Sequence, residues 1–263
     1  MILETQLSQE ITKTSSGFNK LILKKDNLAY ENLHSFVYWD LLNKKGTIPK
    51  EALKSIELIK KSINHMPKNY WAHKTANIQK GARIGKGTKV WHNSQIINGA
   101  QIGEDCVIGH NCLIQSRAKL GKGVKLESNI DVWDLVILED YVFVGPSAVF
   151  TNDINPRAKY PKKKYPQHGQ WLPTLVREGA TIGANATIIS AKPKRIIGKW
   201  ALVGAGAVIV KDVPDYAIVV GVPSKVIGWV CECGNKINFK STRTSCRICK
   251  RKYQKKGDKV WRL

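Results

Sequence analysis

Residues 100–126 read AQIGEDCVIGHNCLIQSRAKLGKGVKL, and an aliphatic side chain returns at every sixth position: Ile102, Ile108, Ile114, Leu120 and Leu126. Followed outward, the same phase runs back through Ile96, Val90, Ile84 and Ile78, and forward through Val132, Leu138 and Val144 to Phe150, without a slip. Two residues before these positions stand small or β-favouring residues: Ala76, Ala82, Thr88, Ser94, Ala100, Cys106, Cys112 and Ala118. Both positions are assigned to the interior. A period of six fits neither the 3.6 of an α-helix nor the alternation of a hairpin; it fits short strands laid along the faces of a coil. Gly85, Gly103, Gly109, Gly121 and Gly145 directly follow the aliphatic position. They are read as turn residues using glycine's freedom at positive φ.

The phase fails after Phe150, returns at Val176, Ile182 and Ile188, skips three residues around Lys192 to Arg195, and resumes at Ile197, Val203 and Ile209. The interruption is read as an excursion loop over 151–174, carrying Tyr160, Tyr165, His168 and Trp171. Loops of that length inside a compact solenoid are often functional.

Among 263 residues, 43% are hydrophobic, enough for a sizeable core, and no apolar run approaches the roughly 20 residues a membrane helix needs. The opening segment, Met1 to Glu10, carries acids where a signal peptide has basic and then apolar residues, so a cytoplasmic location without membrane insertion is expected. The formal net charge of +23 suits nucleic acid, an anionic membrane surface or small polyanionic substrates, and does not choose among them. The six cysteines fall into two groups, Cys106 and Cys112 in the repeats and Cys231, Cys233, Cys246 and Cys249 in the tail, which is not the spread of a secreted disulfide scaffold.

Three repeats per coil would stack residues eighteen apart. One corner then collects Asn93, Asn111 and Asn129 beside His92 and His110; another collects Asn98, Ser116, Asp134 and Asn152. The first reads mainly as an asparagine ladder in left-handed turns, with Asn129 also kept as a candidate substrate contact. Asn152 stands apart, at the rim of the excursion in Val149-Phe150-Thr151-Asn152-Asp153-Ile154-Asn155-Pro156-Arg157.

That string, together with Gly145-Pro146-Ser147, Gly179-Ala180-Thr181-Ile182-Gly183-Ala184-Asn185-Ala186-Thr187-Ile188, Gly204-Ala205-Gly206-Ala207-Val208 and Gly221-Val222-Pro223-Ser224-Lys225, resembles the hexapeptide sugar-nucleotide N-acetyltransferases over about residues 71–240. The resemblance implies a left-handed parallel β-helix, a homotrimer with sites between neighbouring prisms, and acetyl-CoA as cosubstrate. Asn152 would hold the attacking amine of a nucleotide-linked amino sugar, with Asp153 the alternative catalytic group. Arg157, Asn129 and Asp134 would contact the sugar nucleotide. Gly183, Ala184, Ala205, Gly206, Lys211 and Lys225 would bind coenzyme A. The string Ile227-Gly228-Trp229-Val230-Cys231-Glu232-Cys233-Gly234 is most similar to enzymes acting on a UDP-linked 3-amino-uronate, whereas Asp153 is more similar to those acting on dTDP-3-amino-3,6-dideoxyhexoses.

Both ends add to the coil. Within 1–70, Leu28 to Asn43 and Ile48 to Asn64 read as an N-terminal helical hairpin capping the first coil, with Thr47 as N-cap and Pro67 beyond the end. The β-helix is expected over 71–228, followed by a zinc-ribbon-like tail over 229–263. Its Cys231-x-Cys233 and Cys246-x-x-Cys249 form a four-cysteine knuckle suited to a closed structural zinc site. A nucleic-acid-binding protein using the basic surface and this tail is the competing reading. A zinc hydratase would need three histidines placed around one metal, and the repeats are read as supplying only His92 and His110, one coil apart and without a nearby third.

Overall fold

The computed structural model describes residues 69–159 and 171–263. The expected helical hairpin lies outside these residues, as do Tyr160, Tyr165 and His168. Among the described residues all regular structure is strand, most of it a left-handed parallel β-helix.

The prism has three faces. The first stacks Trp71–Ala72, Lys89–Val90, Val107–Ile108, Lys125–Leu126, Phe143–Val144, Thr181–Ile182, Leu202–Val203 and Ala217–Val220, all parallel. The second runs from Asn77–Ile78 to Asp131–Val132 and continues through Val149–Phe150, Thr187–Ile188 and Val208–Ile209. The third runs from Arg83–Ile84 to Arg195–Ile197 and includes Thr174–Val176. Lys125 lies opposite Val107 and Lys119 opposite Gln101, the eighteen-residue step of a three-repeat coil.

Both inward positions are filled as the period predicts. Val90, Ile96, Ile108, Ile114, Ile130, Val132 and Leu138 are fully buried, each such side chain contributing roughly 1.5–3 kcal/mol of transfer free energy. Two polar members of the small inward position, Thr88 and Ser94, are satisfied along the coil axis, whereas the buried Thr174 hydroxyl has no hydrogen-bond partner among the described residues. Thr88 Oγ1 donates to the Gly103 carbonyl (2.8 Å) and accepts from the Cys106 amide (3.0 Å); Ser94 Oγ does the same between Gly109 and Cys112. The Cys106 and Cys112 thiols donate to the Gly121 and Glu127 carbonyls, both at 3.1 Å. Burial pushes the Cys112 thiol up to about 11.

The glycines correct the sequence reading. Positive φ falls three residues after the aliphatic position, at Gly81, Gly87, Asn93, Gly99, Asp105, Asn111, Gly123, Asn129, Leu135, Tyr141 and Ser147. Gly85, Gly103, Gly109, Gly121 and Gly145 are not among the positive-φ residues. Their requirement is space: a Cβ on Gly103 would stand 2.6 Å from the Gly121 carbonyl carbon and oxygen, and one on Gly145 2.6 Å from the Ala184 amide nitrogen. Glycine here lets one coil sit on the next.

After the last coil the chain reverses. Lys225–Val230 pairs antiparallel with Ala217–Val220, and Lys236–Ile237 adds beside it. Arg243–Ser245, Lys252–Lys256 and Lys259–Arg262 then form a separate antiparallel sheet. Trp229, Ile237, Tyr253 and Val260 are buried, and the Tyr253 ring meets Tyr216 edge-on at 5.4 Å.

Candidate functional site

The corner between the second and third faces carries the Asn98, Ser116, Asp134, Asn152 stack. Asp134, 7% exposed, accepts through Oδ1 from the Ser116 hydroxyl (3.0 Å) and the Arg117 amide (2.8 Å), with the Arg117 Nε at 3.6 Å. Its carboxylate thereby holds the corner of the preceding coil.

One coil on, Thr151 anchors the excursion. Its amide donates to the Ile188 carbonyl (3.0 Å), and its hydroxyl accepts from the Ser190 amide (3.0 Å). The two limbs of the excursion close at the base: the Leu172 amide donates to the Asn152 carbonyl (2.7 Å), and Asp153 bridges antiparallel to Trp171. Asp153 Oδ1 accepts from the Asn155 amide (2.8 Å), a local turn that leaves Oδ2 available. Arg157 donates to its neighbour Pro156's carbonyl (2.8 Å) and is exposed. Among the described residues no hydrogen bond engages the half-buried Asn152 side-chain amide, so its oxygen and nitrogen are both free for a ligand.

Arg117 and Trp171 complete this corner. The Arg117 guanidinium lies 5.3 Å from the centre of the Trp171 ring while contacting Asp134, so Asp134, Arg117 and Trp171 form a chain from the coil below to the return limb beside Asp153. Arg117 carries no motif signal, and its pairing depends on where the excursion returns.

The corner between the first and second faces changes character along the axis. In the early coils it holds three imidazoles, His73, His92 and His110, with ring centres 3.6 Å and 4.9 Å apart, flanked by Trp71 and Trp91. A third histidine is therefore present, which corrects the sequence reading. His73 was missed because it precedes His92 by nineteen residues, one off the register. The stack does not form a metal cage: among the described residues only the four tail cysteines bring three or more such ligand atoms together. His110 Nδ1 lies 3.3 Å from Ser128 Oγ, and His92 Nδ1 is buried without a hydrogen bond. Desolvation, then the charges of His92, Lys74 and His110, lowers the His73 pKa. Of the expected asparagine ladder one rung is formed, Asn111 Nδ2 donating to Asn129 Oδ1 at 3.2 Å, while Asn93, Asn111 and Asn129 all take left-handed φ of 58°, 53° and 62°.

In the late coils the same corner is lined by small residues. The Gly206 amide donates to the Ala184 carbonyl (2.8 Å), and a Cβ on Gly183 would lie 2.5 Å from the Ala205 amide nitrogen, so Gly183, Ala184, Ala205 and Gly206 form one flat step. Lys211 and Lys225 are exposed nearby in sequence. Within one chain this step and Asn152 lie on opposite borders of the second face. Pro146, stacked under Asn185, precedes Asn152 by six residues, at most about 20 Å along the chain.

The four tail thiols converge. All four Sγ atoms lie within 4.8 Å of one another, with Cys231 to Cys249 at 3.3 Å, Cys233 to Cys231 at 3.4 Å and Cys233 to Cys246 at 3.6 Å.

The repeat defines a hexapeptide-repeat protein, and residues 81–116 match the bacterial transferase hexapeptide (six repeats) family. Over 78 residues the chain is 44% identical to the dTDP-3-amino-3,6-dideoxy-alpha-D-galactopyranose 3-N-acetyltransferase of Aneurinibacillus thermoaerophilus, covering 30% of this chain and 39% of that protein. It is 36% identical over 86 residues to the 2,3,4,5-tetrahydropyridine-2,6-dicarboxylate N-acetyltransferase of Staphylococcus aureus, covering 33% of this chain and 30% of that protein. The matches thus span about two fifths or less of these curated relatives. Among solved structures, AntD, an N-acyltransferase from Bacillus cereus in complex with dTDP and coenzyme A, aligns with 17% identity over 65% of this chain and 88% of that one, with a TM-score of 0.41. PerB from Caulobacter crescentus, in complex with CoA and GDP-perosamine, aligns with 23% identity over 66% and 65%, with a TM-score of 0.33.

Proposed function

We propose that this chain transfers an acetyl group from acetyl-CoA to the amine of a nucleotide-linked amino sugar, with Asn152 positioning the amine. The observation that carries the reading is the Phe150-Thr151-Asn152-Asp153 corner, where the backbone is tied on both sides while the Asn152 amide is left unspent. The 44% identity to a dTDP-amino-sugar N-acetyltransferase supports the acceptor class.

The chemistry needs a neutral amine, a polarised thioester carbonyl and an acceptor for one proton. The amine lone pair attacks the carbonyl carbon, the C–S bond of the tetrahedral adduct breaks, and the ammonium proton ends on the departing thiolate. Asn152 Oδ1 accepts a hydrogen bond from the amine and aims its lone pair. Asp153, with one oxygen free, binds a sugar hydroxyl or takes the proton in transit. The Trp171 ring and Arg117 form the adjoining wall, and Arg157 meets the pyrophosphate or a sugar carboxylate. The flat step at Gly183, Ala184, Ala205 and Gly206 receives the pantetheine arm, with Lys211 and Lys225 near its phosphates. Asn129 and Asp134 act at one remove, holding turns. Because the step and Asn152 border opposite sides of one face, the complete site is assigned to the cleft between neighbouring prisms of a homotrimer.

The dTDP-linked 3-amino-3,6-dideoxyhexoses are favoured by the curated relative over the UDP-linked 3-amino-uronate favoured by the tail string. Incubation with acetyl-CoA and a panel of dTDP-, UDP- and GDP-linked amino sugars, following free thiol, tests both levels. Thiol release with one class of nucleotide-linked acceptor is expected; none across the panel would overturn the reading.

A further inference from the structure

We propose that Cys231, Cys233, Cys246 and Cys249 bind one zinc ion through four thiolates, and that this ion fastens the tail sheet to the last coil of the β-helix. The inference is independent of the acetyl-transfer reading.

The geometry is that of a cage rather than of disulfides. A tetrahedron with zinc–sulfur bonds of about 2.3 Å has sulfur–sulfur edges of about 3.8 Å. Three sulfur pairs here measure 3.3, 3.4 and 3.6 Å, Cys231 taking part in two of them and Cys233 in two, and all four sulfurs lie within 4.8 Å of one another. Two disulfides would instead separate the thiols into pairs at about 2.05 Å.

The surroundings supply donors aimed at sulfur. Asn235 Nδ2 donates to Cys233 Sγ at 3.4 Å, and the Tyr253 hydroxyl lies 3.0 Å from Cys231 Sγ. Donors converging on thiolates compensate the double negative charge of a zinc tetrathiolate and fix the orientation of its ligands. All four positions are taken by protein, so the ion has no open site for substrate and is structural.

The placement gives the ion its task. Cys231 directly follows Lys225–Val230, the strand laid on the last coil, whereas Cys246 and Cys249 follow Arg243–Ser245 of the separate three-stranded sheet. A sheet this small buries too little apolar surface to dock firmly by itself. The ion ties it to the strand that continues the solenoid, and Tyr253 is held between Cys231 and the ring of Tyr216.

The test uses the full chain purified under reducing conditions without chelator. Elemental mass spectrometry is expected to find about one zinc per chain. Cobalt added to the chelated protein is expected to give the intense visible bands of tetrahedral thiolate coordination. Trypsin is expected to leave the zinc form intact and to cut the chelated form after Lys236, Lys240, Arg243 or Lys250 while the coils survive. Cys233→Ser, which alters the exposed thiol, is expected to lose the metal with an unchanged strand circular dichroism signal. Metal-free protein with four freely reactive thiols, disulfide pairs by mass under native conditions, or one zinc retained in the Cys233→Ser, Cys249→Ser double variant would each overturn the site. Bound zinc with equal trypsin resistance after its removal would overturn the fastening role.

Discussion

Asn152 is the residue on which the proposed chemistry turns, because the Thr151 amide and the Asn152 carbonyl are already engaged while, among the described residues, the Asn152 side chain is not. Asn152→Ala is expected to lower kcat/KM by roughly thirty- to a thousandfold, the loss of one positioned hydrogen bond worth on the order of 2 to 4 kcal/mol in the transition state, with an unchanged melting curve. His110→Ala and His92→Ala serve as controls. If an imidazole were the base, the larger loss would fall on one of them, and near-wild-type turnover in Asn152→Ala would remove its assigned role. Asn129 belongs to a different class of residue: its φ of 62° and its bond from Asn111 make it a turn former. Asn129→Gly is expected to melt close to wild type, whereas Asn129→Ala, which keeps a Cβ in the left-handed region but loses the amide that eases it and accepts from Asn111, is expected to lose roughly 1–2 kcal/mol.

At the scale of the strand and turn, the inward pattern was legible because each two-residue strand buries one aliphatic side chain, and the small inward position must leave room for it. The turn was only half legible. Glycine serves two purposes in this repeat, left-handed backbone at Gly87 or Gly123 and close coil stacking at Gly103 or Gly121, and the letters do not distinguish them. The two can be separated by substitution. Gly103→Ala drives a Cβ into the backbone of the next coil and is expected to cost about 3 kcal/mol, the upper end of overpacking; Gly206→Ala, with nothing within 4 Å, is expected to cost about 1 kcal/mol for its φ of +67° alone. Melting temperatures of the two variants check the order. The Asn152 motif was legible as a string, but Arg117 and Trp171 meet only because the excursion closes on Asp153, which no spacing announces. The buried thiols add a pH test. Burial pushes the Cys112 thiol from its ordinary value of 9.0 up to about 11, so the folded state keeps its proton longer than the unfolded chain does. Its contribution to stability is complete below pH 9.0 and is lost as pH rises towards about 11. Thermal melts across that window are expected to fall more steeply for the wild type than for Cys112→Ala.

For the whole molecule, the proposed site lies between neighbouring prisms of a homotrimer, so light scattering is expected to return three times the chain mass, and a fully active monomer would sink the shared cleft. The tail is expected to matter less to turnover than to integrity. Since the coils bury their own core, acetyl transfer in Cys246→Ser is expected to stay within a few-fold of wild type, measured beside its mass in solution; complete loss in an intact trimer would show that the tail reaches the cleft. The asymmetry between the two halves of the first corner, imidazoles and tryptophans early and glycine and alanine late, was not legible as a division of labour. It emerges only when the register is followed from Trp71 to Gly206.

The irregularities of this coil share one address. Between Phe143 and its partner Thr181 the coil step lengthens to thirty-eight residues, and between Thr181 and Leu202 to twenty-one, yet the pairing on the first face never shifts. Both surpluses leave the chain between the second and third faces, at 151–173 and at 189–194, as if one edge of the prism were a hem from which cloth can be let out without recutting the garment. Loop closure grows only slowly with length, so segments there can lengthen, shorten or be exchanged while the three faces stay in step. Under the proposed function, a lineage of such proteins can therefore change which acceptor it meets beside Asn152 at almost no cost to folding.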